Sequence, residues 1–354
     1  MIGRVQMPER SVGRSRRAAR GGKPSIYDVA ELAGVSHQTV SRVVNDHPNI
    51  RASTRERVLA AMAEIDYTPS SIARALAAGR SRRIGVIVDN PVEFGPGSTM
   101  RGIEEAALSA GYVVSAITAD GDLASAYDHL RLQGVEALCV IAPRYSTLPA
   151  LREFGRGLPT VLLRAESEDE LLTVAVDQYA GAVHAVDHLI ELGHRRILHV
   201  AGPLDWTDAR LRSRAYSERL AAEGLPVLPE LVGDWSSDSG FALSQNTAAF
   251  EGVTAVFAAN DRMALGLVHG LHSRGVCVPG DVSVVGFDDV PDARHFLPPL
   301  TTIRQDFRAL GSLSIETLVN TLEGHTDTVS AMIEPQLVVR ASTAPPSIST
   351  TPRT

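Results

Sequence analysis

The sequence predicts a small all-α head followed by a larger α/β body of two parallel-sheet subdomains. Three observations support this. Residues 1–83 hold 15 Lys and Arg against 7 Asp and Glu, whereas the remainder holds 19 against 34. Residues 25–45 carry two short amphipathic helical patterns joined at the tight turn Gly34-Val35. From Ile84 onward, short β-branched apolar runs alternate with helical patterns, the signature of parallel sheets with crossover helices.

Residues 1–24 are rich in Gly, Arg and Ser without apolar periodicity, and are expected to form a disordered basic arm. The head spans 25–69. Ser25 and Asp28 have capping-box spacing, and Ile26, Val29, Ala30 and Ala33 share a face. Gly34 ends this first helix, because a sharp turn needs the left-handed conformation that glycine tolerates. A second helix is predicted from about His37 to Asn45, with Val40, Val43 and Val44 as its buried stripe. Ser53 and Glu56 then frame a second capping box before a third helix that turns Val58, Ala61, Met62 and Ile65 inward.

Residues 70–83 are expected to form a hinge helix and linker, with Ile72, Ala75 and Leu76 in about two helical turns, too short to be stable without a partner. In the body, 84–343, the predicted strands are IGVIVD, VVSAIT, ALCVIA, TVLL, ILHVAG, AVFAA and VSVVGF. Helical patterns such as MRGIEEAALSAG, YAGAVHAVDHLIELG and MALGLVHGLHSRG separate them. The Pro/Ser/Thr-rich tail, 344–354, is expected to be disordered.

Function is legible first in the head. Two helices joined by a short Gly-containing turn match a helix-turn-helix, whose second helix reads base edges in the major groove. His37, Gln38, Ser41 and Arg42 then point outward, with Asn45 at the helix end. Gln pairs adenine bidentately and Arg pairs guanine O6/N7. Ser36, Thr39, Ser41 and Asn45 suit phosphate oxygens, which set register without reading sequence.

The stretch SIYDVAELAGVSHQTVSRVVN resembles the head of the LacI/GalR family of repressors. The likeness continues through TRERVLAAMAEIDYTPSSIARALA, LIELGHRRILHVAGPL, ARLRSRAY, GDWSSDSGF, AANDRMALG, DVSVVGFDD and PPLTTIRQDF, to about residue 343. The resemblance implies a periplasmic-binding-protein-like body that closes over a small sugar or glycoside, and a hinge that forms on operator DNA across a homodimer. It also implies that Leu76 wedges into the minor groove, and that Tyr27, Thr54 and Tyr67 make phosphate or packing contacts. By position, Arg212, Asn260 and Asp288 match the family's polar ligands, Trp235 and Phe307 its stacking residues, and Gln305 and Asp89 further ligand positions. Three positions depart from the member that gives the family its name: His37 replaces Tyr, Asp89 replaces Ser, and Arg164 replaces an Asp of the sugar pocket.

Other classes fit less well. There is no GxSxG or HExxH, GPGSTMRG lacks the Lys-Ser/Thr ending of a P-loop, and the eleven His are scattered. Neither a catalytic centre, a cofactor nor a metal is expected. Cys139 and Cys277 are both expected to be buried packing residues in a reducing cytoplasm. No run of 18 or more apolar residues predicts a membrane span, and the N-terminus lacks the apolar segment of a signal peptide. A solute-binding protein would share the body, but the basic head favours a cytoplasmic, nucleoid-associated, bacterial repressor of carbohydrate metabolism, controlled allosterically. A purine or phosphosugar effector, or an activator role, remains an alternative.

Overall fold

The computed structural model describes residues 24–45, 47–68, 80–89, 93–119, 122–141, 144–147, 151, 157–164, 172–325 and 330–347. The chain divides into two compact units, Met1–Ser81 and Arg82–Thr354.

In the first unit, helices α1 (Ile26–Ala33), α2 (His37–Val44) and α3 (Ala52–Glu64) enclose one small core. The Ser25 N–H and hydroxyl both donate to Asp28 Oδ2, at 2.8 and 2.7 Å, so the expected capping box closes. Gly34 follows α1 at φ 64°, where a Cβ would be strained. Val29, Val40, Val43, Val58 and Ala61 meet in the centre, and Met62, Ile65 and Tyr67 pack at its margin. One expectation fails: α3 opens a residue before Ser53, with Arg51 at its N-cap and no side-chain cap, so Ser53 and Glu56 form no capping box. Backbone donation from Thr54 and Arg55 to the Arg51 carbonyl already starts the helix.

The second unit contains two six-stranded sheets. The first lobe contains β1 (Arg83–Val88), β2 (Val113–Thr118), β3 (Ala137–Ile141), β4 (Thr160–Leu163), β5 (Leu172–Val176) and β11 (Ala331–Ile333), in the order β11-β5-β4-β3-β1-β2, all parallel. The second lobe contains β6 (Ile197–Ala201), β7 (Leu231–Val232), β8 (Ala255–Ala258), β9 (Ser283–Asp288), β10 (Thr301–Arg304) and β12 (Gln336–Val338), in the order β12-β10-β9-β8-β6-β7. Only β12 runs antiparallel, against β10. Central strands such as β3, β4, β8 and β9 are buried along their whole length, as sheets covered on both faces require.

Helices α4 (Phe94–Ser109), α5 (Leu123–Leu132) and α10 (Phe307–Leu322) pack on the first sheet. Helices α6 (Gln178–Glu191), α7 (Thr207–Ala222), α8 (Ser237–Ser244) and α9 (Asp261–Ser273) belong to the second lobe. The chain therefore crosses between lobes three times: between β5 and α6, between β10 and α10, and between β11 and β12. Gln178 and Gln305 stand at the first two crossings.

All seven predicted strands form, but β5, β7, β10, β11 and β12 were not among them. A search for apolar runs passes over β10, which begins Thr-Thr. Both threonines are buried, and the Thr301 N–H donates to Ser342 Oγ at 2.8 Å.

Three further expectations are corrected. Cys277 is exposed, because it lies in a turn whose backbone N–H donates to Asp281 Oδ2 at 2.8 Å. Residues 344–347, assigned to a disordered tail, are held: Ser283 Oγ donates to Ala344 O, Ala344 N donates back at 3.0 Å, and Ser347 Oγ donates to Gly280 O. The linker is one residue shorter than expected, since β1 begins at Arg83. The arm 1–23, most of the hinge including Leu76, and 348–354 lie outside the described residues.

Candidate functional site

Two surfaces qualify, one in each unit. In the head, Ser36 caps α2: its Oγ accepts from the Thr39 N–H at 3.2 Å, and the two hydroxyls share a hydrogen bond of 2.9 Å. Ser36, His37, Gln38, Arg42 and Asn45 are exposed, while Thr39, Ser41 and Thr54 are half-buried. Gln38 and Arg42 are four residues apart and share one helix face. Tyr27 is 60% exposed, and its ring lies 5.2 Å from that of His37, so α1 adds an aromatic hydroxyl beside the start of α2. Asn45 closes the helix and donates to Ser41 Oγ at 3.4 Å. The helix is thus polar on its open side and fixed by Val40 and Val43 on the other.

The second surface lies between the lobes of the body. Two adjoining cavities share Gly95, Pro96, Trp206, Asp208, Gln305 and Phe307 as a common wall. One reaches Arg164, Gln178 and Leu163, the other Glu93, Arg212, Trp235, Asn260 and Asp288. Seven of the eight predicted ligand residues therefore line one cleft. Asp89 does not: at the end of β1 its buried carboxylate sits 3.0 Å from Arg144 Nε.

Burial presses the charged and amide groups at the centre of the cleft to find partners. Arg212, on α7 and 3% exposed, donates from Nε and Nη2 to Gln178 Oε1, at 2.9 and 2.6 Å, and from Nη1 to the Ala259 carbonyl. Gln178 Nε2 donates to Gln305 Oε1 at 2.7 Å, and Gln305 Nε2 donates to Asp288 Oδ1 at 2.7 Å. Asp288 in turn lies 4.0 Å from Arg212 Nη2 and closes a ring of four side chains. The Arg212 guanidinium also rests 3.8 Å from the centre of the Phe287 ring.

Asn260 caps α9 by accepting from the Met263 N–H at 2.8 Å, and its amide donates to the Trp235 carbonyl at 3.1 Å. That bond ties down Trp235, whose backbone has φ 73°. The Trp235 ring packs over Gly202, where a Cβ would lie 2.5 Å from Cζ2, and meets Trp206 edge-on at 5.5 Å. Its Nε1 has no hydrogen-bond partner among the described residues. Phe307 opens α10 and meets Phe94 edge-on at 5.7 Å. Arg164 is buried, with its guanidinium 5.0 Å from the Tyr145 ring centre.

Burial pushes the Asp288 carboxyl up to about 6; Arg212 and Gln305 pull it down, while the Asp208 and Glu93 carboxylates push it further up. Burial also raises Glu93, against the pull of Arg262. Burial lowers Arg212, against Asp288, Asp208 and Asp261. The cleft thus offers fixed donors, fixed acceptors and aromatic walls, the requirements for a small polyhydroxylated or heterocyclic ligand.

Sequence reasoning missed Gln178, Trp206, Asp208, Glu93 and Phe94. Trp206 and Asp208 lie within six residues of Arg212 on the same loop and helix start, a signal that proximity along the chain could have supplied. Among the described residues no group of three His, Cys, Asp or Glu could hold a metal ion. Nor is any helix among them long and apolar enough to cross a membrane.

Comparison with known proteins gives matches to both units. Residues 25–70 match the bacterial regulatory proteins of the lacI family, and residues 186–343 match the periplasmic binding protein-like domain. The lactose operon repressor of Escherichia coli (strain K12) is 37% identical over 333 residues, 92% of each chain. The HTH-type transcriptional repressor PurR of Photobacterium profundum is 33% identical over 90% of this chain and 98% of that protein. The crystal structure of the lac repressor dimer bound to operator and the anti-inducer ONPF aligns with a TM-score of 0.85 at 34% identity, covering 91% of this chain and 100% of that one. These relatives are transcriptional regulators, not enzymes.

Proposed function

The chain belongs to the LacI family of bacterial regulatory proteins and is a DNA-binding transcriptional repressor of that family; from that premise we propose that it is released from a pseudo-palindromic operator by a small sugar or glycoside bound between the lobes of its body. Two copies act as a homodimer in the cytoplasm, on DNA of the bacterial nucleoid. Each places α2 in a major groove, where Gln38 and Arg42 read base edges. Ser36, Thr39, Ser41 and Asn45, with Tyr27 and Thr54, set register on phosphates. His37 shifts base preference, and Leu76 enters the minor groove at the operator centre.

The observation that carries the effector half is the ring Arg212–Gln178–Gln305–Asp288 beside Trp235 and Phe307. Polar groups held in a fixed order suit vicinal hydroxyls, and an aromatic face suits the apolar side of a sugar ring. The guanidinium keeps further N–H donors for a ligand. Asn260 lines the same wall, and Arg164 brings a cation to the other cavity. Asp89 has no direct role in this reading, because its carboxylate faces Arg144. Ligand and operator oppose each other because each favours a different arrangement of the lobes.

The relative PurR motivates a second reading, in which the stacked ligand is a purine. One titration separates the two. Operator fragments selected from a randomised pool are bound to the full chain, and a panel of saccharides, glycosides and purine bases is screened for release. Release by a saccharide is expected. Release by purines alone would replace the sugar reading, and failure to select any DNA at low salt would overturn the operator reading.

A further inference from the structure

At one edge of the cleft the lobes touch through two short loops. On the first lobe, Tyr145–Thr147 form a single 3-10 turn after β3. On the second, Asp205 and Trp206 lead directly into α7. The Tyr145 N–H donates to the Asp205 carbonyl at 2.8 Å. The Ser146 N–H and hydroxyl donate to the two Asp205 carboxylate oxygens, at 3.1 and 2.7 Å. Arg144 and Trp206 add an isolated antiparallel bridge. Arg210, on α7, lies 4.0 Å from the centre of the Tyr145 ring, and Arg144 lies 6.0 Å from that of Trp206.

A single residue of one lobe thus accepts three hydrogen bonds from two adjacent residues of the other. Both strips adjoin the ligand cavities: Trp206 and Asp208 follow Asp205 and line the shared wall, while Arg164 lines one cavity and packs near Tyr145. Asp205 and Ser146 are exposed, so water competes for these bonds. That keeps the contact weak enough to open and close, as an element that shifts populations requires. The Glu93–Arg262 pair, at 3.6 Å, is a second contact between the lobes but joins them through one exposed guanidinium.

We propose that Asp205 is the latch of the cleft. It is a positioning residue whose carboxylate, closed on Ser146, and whose carbonyl, closed on Tyr145, hold the lobes together along this edge and set Trp206 and Asp208 against the ligand cavity. Its link to effector response rests on the reading that the cleft holds the effector; the latch itself is measurable without one.

The sequence contains two tryptophans, Trp206 and Trp235, so a Trp235→Phe background leaves Trp206 as the only indole fluorophore. In the full chain, Asp205→Ala is expected to raise acrylamide quenching of Trp206 about twofold and to speed amide exchange at Ser146 about tenfold, without lowering the melting temperature of the body beyond the small shift of a surface change. Asp205→Asn keeps acceptor capacity and should fall between. Ser146→Ala should reproduce part of the effect and add little to Asp205→Ala. Quenching and exchange equal to the parent's would overturn the latch. So would a rise seen only alongside a lower melting temperature in both the Ala and Asn variants, which marks a merely structural contact. Failure of the ligand panel to release operator would sink the effector reading and leave the quenching result standing.

Discussion

Arg212 donates twice to a single oxygen of Gln178, from Nε at 2.9 Å and Nη2 at 2.6 Å. Because a guanidinium only donates, this bond dictates the sense of every later one. Gln178 must present its oxygen to Arg212 and therefore its amide nitrogen to Gln305. Gln305 must then present its own nitrogen to Asp288, whose facing oxygen accepts. The direction of the chain is set at both ends, so both glutamine amides are oriented by the chemistry of their neighbours.

Truncating the ring at its cation should be costly. Arg212→Ala leaves Asp288 without its buried counter-charge, and leaves the Gln178 and Ala259 oxygens without a donor. The expected loss is about 3–5 kcal/mol in urea unfolding of the full chain. Arg212→Lys keeps the charge but cannot fork onto Gln178, and should recover only part of that loss. A loss under about 1 kcal/mol for Arg212→Ala would show that the ring does not carry the cleft.

Asp288 should make stability depend on pH. Its folded carboxyl is held at about 6, above its ordinary 3.8. The folded state therefore binds the proton more tightly than the unfolded chain does. The resulting stabilisation is full below about pH 3.8 and is lost as pH rises through about 6, roughly 3 kcal/mol in all. Asp261, also raised by burial, acts in the same direction, so the test is the difference between variants. Asp288→Asn should flatten the slope of unfolding free energy between about pH 4 and 6.5. An unchanged slope would mean that Asp288 does not titrate there.

In the head, the readers and the anchors should separate in a binding screen against randomised operators. Gln38→Ala and Arg42→Ala should each cost about 1–3 kcal/mol and relax preference at one base pair of each half-site. Ser36→Ala should weaken all sequences evenly, through the cap of α2 and the phosphate contact proposed for it. His37→Tyr should move the preferred base, and an unaltered profile would remove His37 from the readout.

Much of the molecule was legible from local pattern. The capping box at Ser25, the turn at Gly34 and the valine stripe of α2 are short-range features, and each forms as expected. Apolar β-branched runs marked the central strands, because these are buried on both faces. The same rule missed β10, whose threonines are buried only because Ser342 and Asp261 meet them. Cys277 was likewise expected to be a buried packing residue, whereas Asp281 folds the segment into a turn that exposes it.

The residues of the cleft were legible in part. Arg212, Trp235, Asn260, Asp288, Gln305 and Phe307 came from motif position and converge on one cleft, whereas Asp89 turns away to Arg144. Gln178 carries no motif. It becomes essential to the ring only because the chain crosses between lobes beside it and again at Gln305.

The sequence by itself determined the helices of the head, the central strands of both sheets, the helix that presents a polar face, and seven of the residues that line the cleft. Those properties follow from spacing within a few turns or strand residues. Only the tertiary structure decided the partners. Residues 178, 212, 288 and 305 form one ring, and Asp205 takes donors from Tyr145 and Ser146, because three crossings bring two separately folded lobes face to face. No local periodicity encodes a hydrogen bond such as that between Gln178 and Gln305, 127 positions apart. Burial in the shared cleft, which makes an unpaired amide or charge costly, selects it.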